Sequence, residues 1–332
     1  MAYCRRRCRY SITLLLFDEK EELMIKSKIK RFLKPIYLEL FRVVNRVYFN
    51  IFIRLNKEPI KQRNSLCTML PGEKVLILAP HIDDDIIGCG GAILKYLENG
   101  KDLAVAYLTE CGKYGSKLTY DEIVEERKQE AVAVAQKIGL EKSCLLFLPG
   151  EDGGLINSNI NDQLEEIIVE MQPDVIFMPC MLDTHSDHYA VTEKLCILYE
   201  KGLDELNNVI LFLYEGQSPL TGFYSNVCLD IRDVWTRKER LMNLYVSQHS
   251  DFKFVHDLNK VNGLAFGKRM ICEAFLRTNV EQYCALYVGY LKEYDKYLTI
   301  KDRLIPHGDS RDLIKSYKSS YGNKTLLRML DI

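Results

Sequence analysis

The chain has 332 residues, which is long enough for one large α/β domain with additions or for two domains. Of these residues 47% are hydrophobic and 27% charged, an ordinary balance for a globular protein. A formal net charge of −1 gives no indication of a nucleic-acid partner, and none is expected. The balance hides an asymmetry, because residues 1–63 are rich in Lys and Arg and the rest of the chain is therefore acidic.

The first predicted element is a basic amphipathic helix within residues 24–55. Aliphatic residues recur there at helical spacing beside many Lys and Arg: Ile36, Leu40, Val43, Val44 and Val47. Such a helix can lie on an anionic membrane surface, at the inner face of the membrane, or pack on the body of its own protein, and both interpretations stay open. The stretch "NKEPIKQRNS" that follows is typical of a linker. Residues 1–63 are therefore interpreted as a helical extension and linker.

From Lys74 onward, short β-branched runs alternate with helical stretches, in the order VLILAP, IIGCGGAILKYLENG, LAVAYLT, DEIVEERKQEAVAVAQKIG, CLLFLP, NDQLEEIIVEMQ, DVIFMP, TEKLCILYEKG and NVILFLYEG. This alternation predicts right-handed βαβ units and a Rossmann-like, mainly parallel, doubly wound α/β sheet. After it we expect an antiparallel strand at NVCLDI and helices near 233–247 and 268–276. Residues 307–332 are predicted to form a polar, mobile tail, which leaves 64–306 as the α/β domain.

The eleven cysteines are odd in number, form no CxxC pair and often interrupt apolar runs, as do Cys144, Cys180, Cys196 and Cys284. This pattern predicts reduced, buried thiols in a cytosolic protein rather than a disulfide framework. The apolar stretch "YSITLLLF" near the N terminus is too short to span a bilayer. We therefore expect a cytoplasmic location.

Two loops concentrate histidine and aspartate where predicted strands end. "HIDDD", residues 81–85, follows the first strand, and "DTHSDH", residues 183–188, follows the fourth; together they hold three of the six histidines. Ligands of open parallel sheets bind beyond the carboxyl ends of the strands, so these loops should meet at one edge. Zinc binds imidazole nitrogen and carboxylate oxygen, and a catalytic zinc keeps one position open. The two loops therefore predict a mononuclear metal site.

"PHIDDD" followed by "HSDH" resembles the LmbE-like, or PIG-L-type, N-acetylglucosaminyl deacetylases, over roughly residues 74–250. Their usual pattern is Pro/Ala-His-Pro-Asp-Asp-Glu after the first strand and His-x-Asp-His after a later one. "EDGGL", "SQH" and the pair Arg127 and Glu130 also look like the family. Two positions depart from the pattern: Ile82 stands where proline is usual, and Asp85 stands where glutamate is usual. The shorter Asp85 puts any supporting role of that glutamate in doubt.

The resemblance implies a hydrolase that removes the acetyl group from an N-acetylglucosaminyl or similar N-acyl amino-sugar conjugate. It implies one Zn²⁺ per chain, or another divalent metal, bound by His81, Asp84 and His188. Asp83 would act as the general base on a metal-activated water molecule. An amide is inert for two reasons, and the first is that its carbonyl is a weak electrophile. A metal ion that polarises the carbonyl overcomes this weakness.

The other reason is the poor amine leaving group, and here the resemblance implies that His185 is the acid that protonates the amine, with Asp187 orienting it. Arg127 would reach a substrate hydroxyl or phosphate, and Asp152 would reach a sugar hydroxyl. Because Arg127 is one helical turn from Glu130, a plain surface ion pair is an equal alternative for it. The acceptor that carries the sugar is left open: lipid, nucleotide, pseudodisaccharide or polysaccharide precursor.

Three rival functions need consideration. A dinucleotide-binding module is disfavoured because "GCGG" does not match GxGxxG and three carboxylates would repel a pyrophosphate. A magnesium phosphotransferase using Asp83 and Asp85 would not need three histidines, since magnesium prefers oxygen ligands. An inactive metal-binding, membrane-docking protein is opposed by the presence of both Asp83 and His185.

Overall fold

The structure, a computed structural model, describes residues 36–113 and 118–330. Two compact units are distinguished, Met1–Val47 and Tyr48–Ile332. The short apolar stretch near the N terminus and the first part of the predicted basic helix lie outside the described residues. Within residues 36–113 and 118–330, no helix is both long and apolar enough to cross a bilayer.

The N-terminal extension is helical, as predicted. Residues 36–55 form α1, and the predicted apolar stripe between residues 36 and 47 is exposed. The predicted linker, however, is a second helix, α2 (Lys57–Arg63), followed by the start of strand β1 (Ser65–Cys67). Ile60 explains this difference, because it is buried beside Ala265 and so anchors α2.

The sheet has eight strands: β1, β2 (Lys74–Ala79), β3 (Asp102–Thr109), β4 (Leu145–Gly150), β5 (Val175–Pro179), β6 (Ile210–Tyr214), β7 (Val227–Asp230) and β8 (Cys272–Asn279). Their spatial order is β1-β7-β8-β6-β5-β2-β3-β4. Neighbouring strands are parallel except where β8 pairs with β6 and β7. This confirms the mainly parallel, Rossmann-like α/β sheet.

One prediction near β8 is wrong, because the segment predicted as a helix over 268–276 contributes most of β8. The strand predicted at NVCLDI is β7, and it pairs antiparallel with β8 and parallel with β1. Phe275 pairs with Tyr214 on one side and Val227 on the other, so β8 is central and buried. A buried central strand is a near-continuous apolar run that periodicity cannot distinguish from a buried helix.

The helices that cover the sheet are α3 (Asp84–Glu98), α4 (Tyr120–Ile138), α5 (Asn161–Met171), α6 (Ser186–Glu200), α7 (Trp235–Met242), α8 (Lys253–Gly263), α9 (Val280–Leu286), α10 (Tyr294–Lys301) and α11 (Leu313–Asn323). Alternate residues of β2 enter opposite cores: Leu76 and Leu78 pack in one, Val75 and Ile77 in the other. A strand buried on both faces explains why this run is apolar throughout.

The end of α4 was predicted correctly, but its start differs by the capping residue. Thr119 is the N-cap, and a capping box joins it to Glu122, so that each side chain accepts a hydrogen bond from the other's backbone N–H. Gly139 ends the helix with φ of +80°, a conformation that glycine adopts without strain. This well-defined helix holds Arg127 and Glu130 in place.

The segment after His307, predicted to be a mobile polar tail, is ordered. It forms α11 and a short 3-10 helix, Thr325–Leu330, and its Leu313, Tyr317 and Leu327 are buried. These apolar residues are scattered among many polar ones, so the composition of the segment does not indicate that it packs against the rest of the protein. The division of the chain into domains at residues 63 and 306 stays a prediction.

One cysteine pair also differs from expectation. Cys196 in α6 and Cys284 in α9 form a disulfide, with 5.3 Å between their Cα atoms and a sequence separation of 88. The pairing follows from the packing of the two helices, which sequence spacing does not reveal. The remaining cysteines in the described part of the chain are free thiols.

The strand order also locates the site. From β2 the chain continues to β3 and β4 on one side, whereas β5 and β6 lie on the other side of β2. Connections therefore diverge between β2 and β5, which makes this the switch point where open α/β sheets bind ligands. Residues 81–85 follow β2 and residues 183–188 follow β5.

Candidate functional site

The turn between β2 and α3 presents the first group of site residues. Asp84 Oδ2 accepts a hydrogen bond from His81 N at 3.0 Å, which closes the turn. Asp83, the residue before the helix, has φ of +139°, an uncommon and strained conformation for aspartate. At the departure from the family pattern, Ile82 N donates to Cys111 Sγ at 3.2 Å, so the N–H that proline would lack has a partner.

The predicted metal ligands lie together. Asp84 Oδ2 is 3.0 Å from His81 Nδ1 and 3.4 Å from His188 Nε2, so one carboxylate oxygen contacts both rings. Ring nitrogens of His81, His185 and His188 also lie within 4.8 Å of one another. Geometry alone therefore permits His185 as a ligand, and His81, Asp152 and Asp187 form a second group with suitable atoms. Among the predicted ligands, Asp84 supplies the atom that contacts both of the others.

Opposite charges dominate the electrostatics of this cluster. Burial disfavours the charged form of Asp84, but the neighbouring His188 and His81 outweigh it and hold the pKa of Asp84 well below its ordinary value. Burial likewise disfavours the charged form of His188, but Asp84 and Asp183 raise the pKa of His188 to about 10. The cluster therefore holds a carboxylate between two basic rings.

Asp187 does not make the contact that was predicted for it. Its carboxylate is 3.1 Å from His81 Nε2 and accepts hydrogen bonds from Gly153 N and Leu155 N. Only its backbone N–H meets His185, donating to Nδ1 at 3.2 Å. The reason is that Asp187 lies in the first turn of α6, where its side chain points across the switch point to the loop after β2. The structure thus associates the Asp187 carboxylate with His81.

His185 lies beside both other histidines, with its ring centroid 4.6 Å from that of His81 and 5.3 Å from that of His188. Burial, followed by the charges of these two rings, lowers the pKa of His185 to about 4. This direction does not favour the protonated ring that the predicted acid role requires before reaction.

A cavity of about 570 Å³ opens above this cluster, and its inner part is lined by His81, Asp83, Asp84, Arg127, Asp152 and His185. Burial, and then the adjacent Asp84 charge, raise the pKa of Asp83 well above its ordinary value. Asp152 is buried with Oδ1 3.6 Å from His81 Nε2, and its other oxygen accepts from Lys113 N at 3.1 Å. Every predicted site residue except Asp187 and His188 therefore faces the cavity.

Arg127 is not part of a surface ion pair. It is buried, and its Nη1 donates to Cys111 O at 2.6 Å, while Nε has no partner among the described residues. Glu130 is also buried and accepts from Ser247 N and Oγ, each at 2.7 Å. Arg127 therefore retains hydrogen-bonding capacity in the cavity wall, and Glu130 holds the "SQH" loop.

Sequence reasoning missed two residues that support His188. Asp183 is buried, with Oδ1 3.4 Å from His188 Nδ1, and it accepts hydrogen bonds from His185 N and Ser218 N. Gly216, just after β6, leaves room for the ring, because a Cβ there would lie 2.3 Å from His188 Nδ1. Asp183 is the first residue of the "DTHSDH" loop, so this motif could have indicated its role beside His188. No sequence pattern indicated a role for Gly216.

Asp85, which replaces the usual glutamate, has a defined structural role. It accepts hydrogen bonds from the hydroxyls of Tyr107 at 2.9 Å and Tyr245 at 3.2 Å. Burial raises the pKa of Asp85 to about 6. The shorter side chain is thus held by two buried tyrosines and not directed into the candidate metal centre.

The outer part of the cavity comes from segments without a recognisable motif. Its lining includes Phe252, Phe254, His307 and Arg311, from the start of α8 and the segment before α11. The Phe254 and His307 rings meet edge to face with centroids 5.3 Å apart. His307 Nδ1 lies 2.8 Å from the Gln217 carbonyl oxygen, which ties the outer wall to the end of β6.

Comparison with known proteins agrees with this geometry. Residues 76–197 match the family PIG-L, described as GlcNAc-PI de-N-acetylase. The chain is 27% identical over 188 residues to the diacetylchitobiose deacetylase of Thermococcus kodakarensis, which covers 53% of this chain and 70% of that protein.

Two solved structures share the fold. N,N'-diacetylchitobiose deacetylase from Pyrococcus horikoshii has a TM-score of 0.54 and 24% identity, covering 64% of this chain and 86% of its own. The 4-carboxy-2-hydroxymuconate hydratase GalB from Pseudomonas putida has a TM-score of 0.52 and 20% identity, covering 61% and 95%. The family motifs, and not the fold alone, carry the assignment. Residues 76–197 of this chain therefore contain a match to the PIG-L, or LmbE-like, deacetylase family.

Proposed function

We propose that this chain is a zinc-dependent amidohydrolase that removes the acetyl group from an N-acetylglucosaminyl conjugate. The observation that carries the proposal is the contact of Asp84 Oδ2 with both His81 and His188 at the floor of a cavity. The family and the deacetylase relative support the reaction class. A magnesium phosphotransferase is less consistent with this site, since two imidazoles adjoin the shared oxygen.

The donor set fits a tetrahedral zinc ion. Ligands bound at about 2.1 Å lie roughly 3.4 Å from one another, close to the separations around Asp84. His188 also matches a ligating histidine, because its Nδ1 faces Asp183 as such rings commonly face a carboxylate. In this proposal His81, Asp84 and His188 hold the ion. Bound there, zinc would polarise the amide carbonyl and make a water molecule acidic enough to attack near neutral pH.

The residues around the ligands provide the proton transfers. Asp83 lines the cavity next to Asp84 and serves as the general base toward the attacking water. His185, whose ring centroid lies 4.6 Å from that of His81, becomes protonated during the reaction and donates that proton to the departing amine. The Asp187 carboxylate orients His81 through Nε2. Arg127 and Asp152 bind the sugar hydroxyls, since both are buried polar groups in the cavity wall.

The outer cavity wall bears on the acceptor of the sugar. Its charged side chains are Arg311 with the acidic Asp309 and Asp312, and Arg311 already forms a bidentate ion pair with Asp309. An acceptor with several phosphates would meet these carboxylates at short range. The lining therefore favours an uncharged acceptor, such as a second sugar, over a nucleotide.

The test combines metal analysis of the purified protein with an assay for acetate release. Substrates are N-acetylglucosamine, N,N'-diacetylchitobiose and UDP-N-acetylglucosamine, with Asp83→Asn as the inactive control. We expect one zinc per chain and acetate release that is fastest from the disaccharide. Acetate release that persists unchanged after removal of all metal, or none from any substrate, would contradict the proposal.

Association of residues 24–55 with an anionic membrane stays a prediction, as does a cytoplasmic location. Co-sedimentation with anionic liposomes at low and high salt, using the full chain and a chain lacking residues 1–47, tests the membrane prediction. Salt-sensitive binding by the full chain alone would support it. Equal binding by both chains, or none by either, would reject it without affecting the proposed deacetylation.

A further inference from the structure

The "GCGG" stretch, residues 88–91, lies inside α3 and not in a strand-to-helix turn. The helix is kinked there, because Cys89 has φ of −141° and ψ of 22°, outside the helical range. The first turn, before the kink, carries Asp84. In an unbroken helix the Gly91 N–H would donate to the Ile87 carbonyl oxygen, and a kink separates such a pair.

A buried ion pair meets both of these backbone groups. Lys238 Nζ donates to the Ile87 carbonyl oxygen at 2.9 Å, and Glu273 Oε1 accepts from Gly91 N at 2.6 Å. Lys238 Nζ lies 2.6 Å from the same glutamate oxygen. The second glutamate oxygen accepts from Ala92 N at 2.9 Å. The ion pair thus occupies the place of one hydrogen bond of the helix.

The Lys238–Glu273 ion pair is almost completely buried. Lys238 is on α7 and Glu273 on β8, and their side chains are 0% and 1% exposed. Both charges therefore need each other and their backbone partners to be tolerated in the interior. Gly91 lets the carboxylate approach, because a Cβ there would lie 2.9 Å from Glu273 Oε1 and 2.5 Å from Ile231 Cγ2.

We propose that Lys238 and Glu273 form a positioning unit that fixes the direction of the first turn of α3, residues 84–88. That turn carries Asp84 and follows Asp83 directly, so its direction determines where both carboxylates lie. The role of the positioned carboxylates in metal binding and catalysis rests on the proposed function. The positioning of the first turn by Lys238 and Glu273 does not depend on that function. Neither residue lies within 76–197, the range matched to the family.

The same helix offers a matched control. Lys95, after the kink, forms an ion pair with Asp233 on the segment before α7, with Nζ 2.6 Å from Oδ2. Lys95→Met removes a cation from α3 just as Lys238→Met removes one from its partner helix. If the Lys238–Glu273 pair acts at the kink, Lys238→Met should affect the part of α3 before the kink, and Lys95→Met should not.

The first measurement is hydrogen–deuterium exchange of the metal-free protein. In Lys238→Met and Glu273→Gln, amides of residues 84–91 should exchange at least about tenfold faster, while those of residues 93–98 keep their wild-type rates. Lys95→Met should leave residues 84–91 unchanged. Glu273→Gln keeps the size of the side chain and one acceptor, so it serves if Lys238→Met does not fold.

The second measurement is the affinity for Zn²⁺ alone, by competition with a chelator. We expect the dissociation constant to rise about tenfold in Lys238→Met and Glu273→Gln and to stay constant in Lys95→Met. The double variant Lys238→Met/Glu273→Gln should remain weak. Full recovery in the double variant, or wild-type exchange of residues 84–91 in both single variants, would overturn the proposal. If the wild type binds no zinc, the metal centre is wrong, and the exchange rates still decide the positioning role.

Discussion

The inner and outer parts of the cavity are built in different ways. The inner part comes from two compact loops, residues 81–85 and 183–188, each at the end of a parallel strand. The outer part comes from residues 248–254 and 306–312, which are distant in sequence and brought together by α8 and the segment before α11. Strand ends place chemical groups reliably, whereas the outer wall depends on how terminal elements pack. We therefore expect the inner part to determine the reaction and the outer part to determine which substrate is bound.

The strongest test of the inner part is removal of a candidate ligand. His188→Ala should lose zinc under mild chelation and reduce acetate release to the background without enzyme, because two ligands remain where three are needed. Metal content per chain and turnover are both measured. His256→Ala provides a control, since that ring stacks on Trp235 away from the cavity. Full retention of zinc by His188→Ala would contradict the ligand assignment.

Asp83→Asn separates catalysis from metal binding within the inner part. The amide preserves the shape of the side chain but cannot take up a proton, so turnover should fall about 10²–10⁴-fold while zinc content stays at the wild-type level. Asparagine and aspartate have similar backbone preferences, so the substitution should add little to the strain of the positive φ at this position. Turnover close to wild type would reject Asp83 as the base, and lost zinc would show that it is a ligand.

The outer wall should respond to acid through His307. Burial lowers the pKa of His307 to about 4, with Lys324 acting in the same direction and Gln217 and Asp183 opposing. Between about pH 6.5 and 4 the unfolded chain binds a proton that the folded chain does not, so stability falls as the pH falls through this range. His307→Asn keeps a donor for the Gln217 carbonyl oxygen but cannot titrate.

Urea denaturation at pH 7.5 and pH 4 measures this difference. The wild type should lose more of its free energy of unfolding than His307→Asn between these two conditions, by on the order of 2–3 kcal/mol. At pH 7.5 the two proteins should differ little, because both side chains are neutral there. Equal losses in the two proteins would show that His307 is not the group responsible.

The smallest expected effect concerns substrate choice. Phe254→Ala should raise KM for N,N'-diacetylchitobiose about tenfold, equivalent to about 1.4 kcal/mol, because it removes an aromatic surface of the outer wall against which a second sugar would pack under the proposed function. KM for N-acetylglucosamine and kcat for both substrates should change little. Equal changes for the two substrates would mean that Phe254 supports the whole cavity and does not select the acceptor.

Sequence predicted those features that local chemistry specifies. The strands that end at the two loops and the convergence of His81, Asp84 and His188 follow from apolar runs and motif spacing. The central strand β8 was missed because burial on both faces removes its alternation. The contact of Asp187 with His81 was missed because it crosses between β2 and β5. Such contacts depend on tertiary packing, which a single sequence does not display.

The hydrogen bond from Ile82 N to Cys111 Sγ has a consequence for how this sequence can change. Proline at position 82 would match the family pattern, but it would remove the only N–H that reaches this sulfur from the turn. Cys111 in turn has φ of +60° and presents its carbonyl oxygen to Arg127. We therefore expect positions 82 and 111 to be epistatic: proline at position 82 should cost more stability while Cys111 is present than after Cys111 is replaced.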